Sequence, residues 1–239
     1  MNGFDHWVLA GAMFLPLVGV LLIVPIPRRN EAMIKATALI TSLVTLGFGV
    51  YLVADFDYDS SRTLQFAVNR PWINVINSRF HVGIDGIALP LLVLSMFITV
   101  LCIIYSWDHF PEPHDPKGFL ILILILEVGM NGTFAAEDLI LFFVFFELVL
   151  LPMYFMIARW GGARRQYASI KFFLFTLFGS ALMILSFLAL FFKGGQTFDI
   201  PTLIANIAAH PLVHSTELFI FGGLFIGFAI KVPMFPFHT

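Results

Sequence analysis

LILFFVFFELVLLPMYFMIA, residues 139–158, is twenty residues long and carries a single charge, Glu147. A run of this length crosses a hydrocarbon core of about 30 Å. Short of a closed barrel it must do so as a helix, because lipid cannot satisfy an open backbone. Glu147 is the ninth residue of the run, and Pro152 follows five later, which leaves the carbonyl of Leu148 without its helical N–H partner. An ionisable side chain at mid-membrane costs about 2.5–3.5 kcal/mol on insertion scales, so it normally faces a bundle interior or wet cavity and marks an ion or proton route. The competing reading is a carboxyl that pairs neutrally with a neighbouring helix and fixes packing.

Six more stretches have comparable length and polarity: residues 7–27, 36–54, 86–106, 118–136, 172–192 and 218–237. The expected fold class is therefore all-α, a polytopic membrane bundle of about seven transmembrane helices. Composition agrees: 59% hydrophobic and 12% charged residues are far from the balance of a soluble domain. With the N-terminus outside, the inner loops hold Arg28, Arg29, Lys35, Lys117, Arg159, Arg164, Arg165 and Lys171. The outer ones hold only Arg62, Arg70, Arg79 and Lys193, so the positive-inside rule selects that orientation. The first stretch is not a secretory signal, since Asp5 precedes it and Arg28 and Arg29 follow it.

The long outer loop at 55–82 reads as a folded cap. Residues 108–117, DHFPEPHDPK, form a stiff turn, and the loop at 193–216 has room for a short helix near 200–209. The lone Cys102 forms no intrachain disulfide and is expected as a small packed side chain. His6, His81, His109, His114, His210 and His214 fall in loops or at span edges, which disfavours a membrane haem. Without a cysteine cluster, P-loop or dinucleotide fingerprint, the chain has no visible means of carrying electrons or hydrolysing nucleotide. No cofactor or metal is expected in it, nor a nucleic-acid partner. The closing FAIKVPMFPFHT lacks a polar tail, so the expectation is the N-terminal part of a longer protein.

Lys231 is the natural partner for Glu147. Pro233 and Pro236 follow it, so its helix should break there, and in transporters broken helices build ion sites. Its bland reading is a lysine that snorkels to the headgroups. Glu127 is equally deep, with Asn131 one turn on as a local hydrogen-bond partner, and is the weaker relay candidate. Lys171 reads more readily as an anchor. His238 could carry protons or be an ordinary polar contact. The 29 Phe residues are lipid-facing and core bulk, and Gly223 with Gly227 have the spacing for close helix packing.

Four segments carry a resemblance: HVGIDGIALPLLVLS at 81–95, AAEDLILFFVFFELVLLPMYFMIARWGG at 135–162, RRQYASIKFFLFT at 164–176 and FAIKVPMFPFHT at 228–239. In order, they resemble the antiporter-like, M or chain 4 type subunit of respiratory complex I, the proton-pumping NADH:quinone oxidoreductase. The first 80 residues match only in layout. The resemblance implies fourteen helices in two inverted five-helix repeats, with the family's fifth-helix glutamate on Glu147 and its broken-helix lysine on Lys231. Residues 1–136 would then hold helices 1–4 and the loop at 55–82. Residues 137–239 would open the proton-translocation module, and the central lysine of the next helix would lie beyond them.

By that resemblance the chain is part of an enzyme, a translocase with no redox centre of its own. Other membrane subunits, including related antiporter-like ones, would be its partners. NADH, FMN, iron–sulfur clusters and quinone would sit in partner subunits, and the location would be a bacterial-type plasma membrane or equivalent energy-coupling membrane. Alternatives are a subunit of a multisubunit cation/proton antiporter or membrane-bound hydrogenase, and a passive membrane scaffold.

Overall fold

The computed structural model describes the backbone of residues 5–110 and 112–238, with side chains from Trp7 onward. Residue 111 of the proline-rich turn, Thr239 of the closing motif and the side chain of His6 lie outside it. The order is α1 (Asp5–Ile23), α2 (Glu31–Asp55), β1 (Gln65–Ile73), β2 (Ser78–Ile84), α3 (Ala88–Tyr105), α4 (Pro116–Ala135), α5 (Leu139–Leu148), α6 (Leu150–Trp160), α7 (Arg165–Lys193), α8 (Ile200–Ala209) and α9 (His214–Lys231). The fold is an all-α bundle carrying one two-stranded hairpin.

Five spans are long and apolar enough to cross a membrane: α2, α3, α4, α5 with α6 as one 22-residue segment, and α7. The count of seven was therefore approximate. The apolar part of α1, Trp7–Ile23, is short, and α9 opens on His214, Ser215, Thr216 and Glu217 and ends on a lysine. The cap at 55–82 contains an antiparallel hairpin, β1–β2, with Val68 opposite Val82 and Asn69 opposite His81. The loop helix near 200–209 is present as α8. Cys102 is exposed on α3, contrary to the packed position expected of it.

At the hairpin end of the bundle, β2 is buried while much of β1 is open to solvent. The chain between α4 and α5 is held on both sides there: Glu137 N–H donates to His81 O (2.8 Å), Leu139 N–H to Phe198 O (2.9 Å) and Ile200 N–H to Glu137 O (2.9 Å). Asp138 starts α5 because its carboxylate accepts from Ile140 and Leu141 N–H, two of the helix's orphan donors. It also accepts from Ser78 Oγ and Arg79 N–H, both at 2.9 Å, so one buried aspartate ties hairpin to helix. Nine residues along, this anchorage sets the depth and rotation of Glu147.

At the opposite end, Asp115 caps α4 and pairs with Arg159 (2.8 Å), Trp160 Nε1 donates to Pro113 O (2.9 Å), and Lys117 donates to the carbonyls of Val24 and Ile26. One apolar cluster (Met13, Leu52, Leu92, Met96, Val128 and others) fills the bundle toward the hairpin. A second (Ile23, Ile34, Ala38, Ile103, Leu120, Ile123, Leu124) fills it toward the other end.

Candidate functional site

α7 and α9 pack closely because their contact is lined by small residues. A Cβ on Gly227 would stand 3.0 Å from Gly179 O, and one on Gly223 would meet Ser186 Oγ at 2.2 Å and Leu182 O at 3.2 Å. This pairing presents the end of α9 to the joint between α5 and α6. α9 stops at Lys231 because Pro233 has no N–H to continue the ladder, and Met234 N–H takes Ala229 O instead (2.9 Å). The backbone then turns through residues 232–237.

α5 and α6 are one helix loosened at Val149. The hydrogen bonds across this joint, Val149 N–H to Phe145 O and Met153 N–H to Val149 O, are both long at 3.4 Å, and Pro152 removes a third. Lys231 enters this opened turn. Its Nζ donates to Phe146 O at 3.0 Å, lies 3.9 Å from the centre of the Phe146 ring and 3.5 Å from Glu147 Oε1. The two side chains are mostly buried, at 17% and 19% relative exposure. The carbonyl, ring face and carboxylate together replace much of the water an ammonium loses on burial.

Ser180 of α7 completes the group. Its hydroxyl lies 2.5 Å from Glu147 Oε1 and 3.1 Å from Thr176 O, so a single hydrogen has two competing acceptors. Ser180 escaped the sequence reading because small hydroxyl residues are common in spans; its place one residue from Gly179, the close-packing glycine, was the available signal. Beside the group lies a cleft of about 690 Å³, lined by Lys231, Thr176, Met130 and Met153 and by the exposed Arg164 and Lys171.

The other candidates are placed differently. Lys171 is exposed on α7, and His238, also exposed, stacks on Phe235 with ring centres 5.6 Å apart; both line the cleft without touching the pair. Glu127 is fully buried, and neither of its oxygens has a hydrogen-bond partner among the described residues. Asn131 does not bond to it, bonding instead to Ser95 Oγ (2.7 Å) and donating to Ala12 O (3.2 Å). That carbonyl is free because Pro16 interrupts α1.

A second polar cluster lies at the hairpin end. His81 Nδ1 meets Asp199 Oδ1 at 2.5 Å, and Asp199 also accepts from Thr202 N–H and Oγ1 while capping α8. Burial pushes the Asp199 carboxyl up, but the bonds from Thr202 and His81 outweigh it and hold it below the ordinary aspartate range. Glu137 is half-buried, and burial, with Asp85 and Asp199 adding repulsion, pushes it up to about 7.

Residues 12–133 match the family model described as NADH-ubiquinone oxidoreductase chain 4, amino terminus. The chain belongs to that family. Residues 136–239 match a second model, the transmembrane part of NADH:quinone oxidoreductases and Mrp antiporters. NADH-quinone oxidoreductase subunit M of Rickettsia prowazekii is 38% identical over 230 residues, 95% of this chain and 46% of that protein. NAD(P)H-quinone oxidoreductase chain 4 of Picosynechococcus is 38% identical, over 97% of this chain and 42% of its own length. The chain thus spans a little under half the length of these relatives.

Among solved structures, a chain of respiratory complex I from Thermus thermophilus superposes with a TM-score of 0.81 at 29% identity, covering 96% of this chain and 45% of its own. A chain of the Mrp complex from Dietzia shares the fold, with a TM-score of 0.79 at 15% identity, over 98% of this chain and 24% of that one. Family and spans together make the chain an integral membrane protein of a bacterial-type membrane.

Proposed function

We propose that this chain is part of a proton-translocating membrane subunit of NADH:quinone oxidoreductase, working through Glu147 and Lys231. The observation that carries the reading is the 3.5 Å approach of the lysine ammonium to the glutamate at a loosened helix joint, beside a cleft. Desolvation disfavours a charged lysine and a close carboxylate restores it, so the separation of the two groups sets how firmly Lys231 holds its proton. At an effective dielectric of about 20, the attraction is about 4.7 kcal/mol at the observed separation and about 2.4 kcal/mol at about 7 Å. The difference is about what one proton requires against 100 mV, roughly 2.3 kcal/mol. A displacement of Glu147 by one side-chain length is therefore the right scale for one loading step.

Ser180 provides the alternative state. When Glu147 withdraws, the hydroxyl hydrogen turns to Thr176 O, so no donor is orphaned in either position. The exposed Arg164 and Lys171 that line the cleft are consistent with the positive-inside orientation, in which the hairpin end faces the positive side. Redox chemistry, with NADH, FMN, iron–sulfur clusters and quinone, belongs to partner subunits in this reading. Residues 1–136 form the N-terminal helices, and residues 137–239 open the translocation module.

A cation/proton antiporter subunit is the second reading, because the model matching residues 136–239 spans both classes; the chain 4 match over residues 12–133 favours the first. The test is Lys231→Met in the assembled complex, with proton uptake by membrane vesicles as the readout. Loss of pumping, with oxidation of NADH by an artificial electron acceptor retained, is expected. Unchanged pumping overturns the relay in favour of a scaffold, and sodium-dependent uptake favours the antiporter.

A further inference from the structure

Glu127 stands apart from the Glu147–Lys231 pair. The α4 residues that abut Phe145 and Val149 of the α5–α6 segment are Gly129 and Gly132. At 3.6 residues per turn, Glu127 lies about 170° around α4 from the middle of that glycine face. Leu120, Ile123 and Leu124 share its face and pack with Ile34 and Ala38 of α2 and Ile103 of α3. Glu127 and Asn131 continue this stripe by one turn each. The Ser95–Asn131 bond sets an antiparallel register that places Ile103 level with Ile123 and Thr99 level with Glu127. On α2, the turns after Ala38 supply Thr41, Ser42 and Thr45, all buried.

These hydroxyls have given their hydrogens away. Thr41 donates to Thr37 O, Ser42 to Ala38 O, Thr45 to Thr41 O and Thr99 to Ser95 O, while Ser95 donates to Leu92 O or Asn131 Oδ1. What remains on each oxygen is acceptor capacity. An ionised carboxylate needs donors and meets none in this layer, whereas a carboxylic acid has a hydrogen to give, directly or through water. An isolated buried carboxylate is far costlier than its neutral acid, and a water with two or more polar partners is at home in such a layer.

Among the described residues no counter-charge comes near. Among the described side chains of the packed elements, Lys35 donates to Trp107 O, Lys117 to Val24 and Ile26 carbonyls, and Glu31 pairs with His114. Arg159 pairs with Asp115, and His81 with Asp199. Asp55, Tyr51, Cys102 and Tyr105 are exposed, Arg79 and Tyr154 are part-buried, and Glu147 is across α4. Apolar clusters close the layer toward both ends.

We propose that Glu127 is a second acid site, a closed one, which keeps its proton as a neutral carboxylic acid and binds interior water that bridges it to the hydroxyl layer of α2 and α3. It exchanges no proton with Glu147–Lys231. The test is infrared spectroscopy on the assembled complex with isotope-labelled glutamate, comparing wild type, Glu127→Gln and Glu147→Gln. A protonated-carboxyl carbonyl band that persists to alkaline pH, shifts slowly in heavy water, disappears in Glu127→Gln and survives in Glu147→Gln is expected. Retention of the band in Glu127→Gln, or its loss in Glu147→Gln, overturns the assignment. Should Glu127→Gln fail to assemble, a density map of the wild-type complex that resolves interior waters decides: water within hydrogen-bond distance of the Glu127 carboxyl supports the site, and its absence there refutes it.

Discussion

Glu147→Gln removes one charge from a pair held at 3.5 Å with less than a fifth of each side chain exposed. The attraction lost is about 4.7 kcal/mol at an effective dielectric of about 20, and breaking a buried pair by removing one partner costs about 3–5 kcal/mol. The amide oxygen of the variant would still accept from Ser180, and Lys231 would keep the Phe146 carbonyl and ring, so the bundle should assemble with the lysine in place. What disappears is the variable attraction that loads and unloads it. In membrane vesicles containing the assembled complex, proton uptake driven by NADH should fall to background, quinone-linked oxidation should fall with it where the two are tightly coupled, and oxidation by an artificial acceptor should persist. Glu147→Asp draws the carboxylate back to about 5 Å, which leaves about 3.3 kcal/mol of attraction, so part of both activities should remain. Lys193→Ala, exposed at the end of α7, is the control and should change little. Normal pumping stoichiometry in a fully assembled Glu147→Gln complex would refute the reasoning.

Gly227→Leu drives a side chain against Gly179 O on α7, so α9 should shift and Lys231 leave its position; pumping should be lost with less loss of assembly, measured by native gel and vesicle uptake. Asp138→Ala removes the α5 cap, worth about 1 kcal/mol, and orphans buried donors at about 1–3 kcal/mol each; proteolysis within residues 65–84 should accelerate. Glu137 binds its proton more tightly folded than unfolded, so its contribution to stability should be lost as pH rises from about 4.5 to about 7 and then level off. Glu137→Gln should flatten that slope in hydrogen exchange at the hairpin end, and an unchanged slope would reassign it.

Much of the architecture was legible because a membrane imposes one rule on each segment, length and apolarity, that needs no partner to apply. The single charge in residues 139–158 and the lysine before Pro233 stood out for the same reason, since a charge is conspicuous against a background of Leu, Ile and Phe. Ser180 was not legible, because its role arises from which neighbour it reaches. The hairpin was missed as a strand pair because its alternation is broken by bulges and Pro71, and its burial is supplied by β2 lying on the bundle.

The sequence by itself determined that this is a polytopic helical membrane protein with carboxylate and lysine at depth, because the energetic cost of such groups in lipid is a property of each segment alone. Only the tertiary structure decided that Glu147 and Lys231 meet while Glu127 does not join them. Which side of a helix a residue occupies relative to its neighbours is set by inter-helix packing, here by Gly129 and Gly132 against α5 and Gly223 and Gly227 against α7. A one-position rotation of α4 or α9 would keep every span intact and assemble a different polar interior.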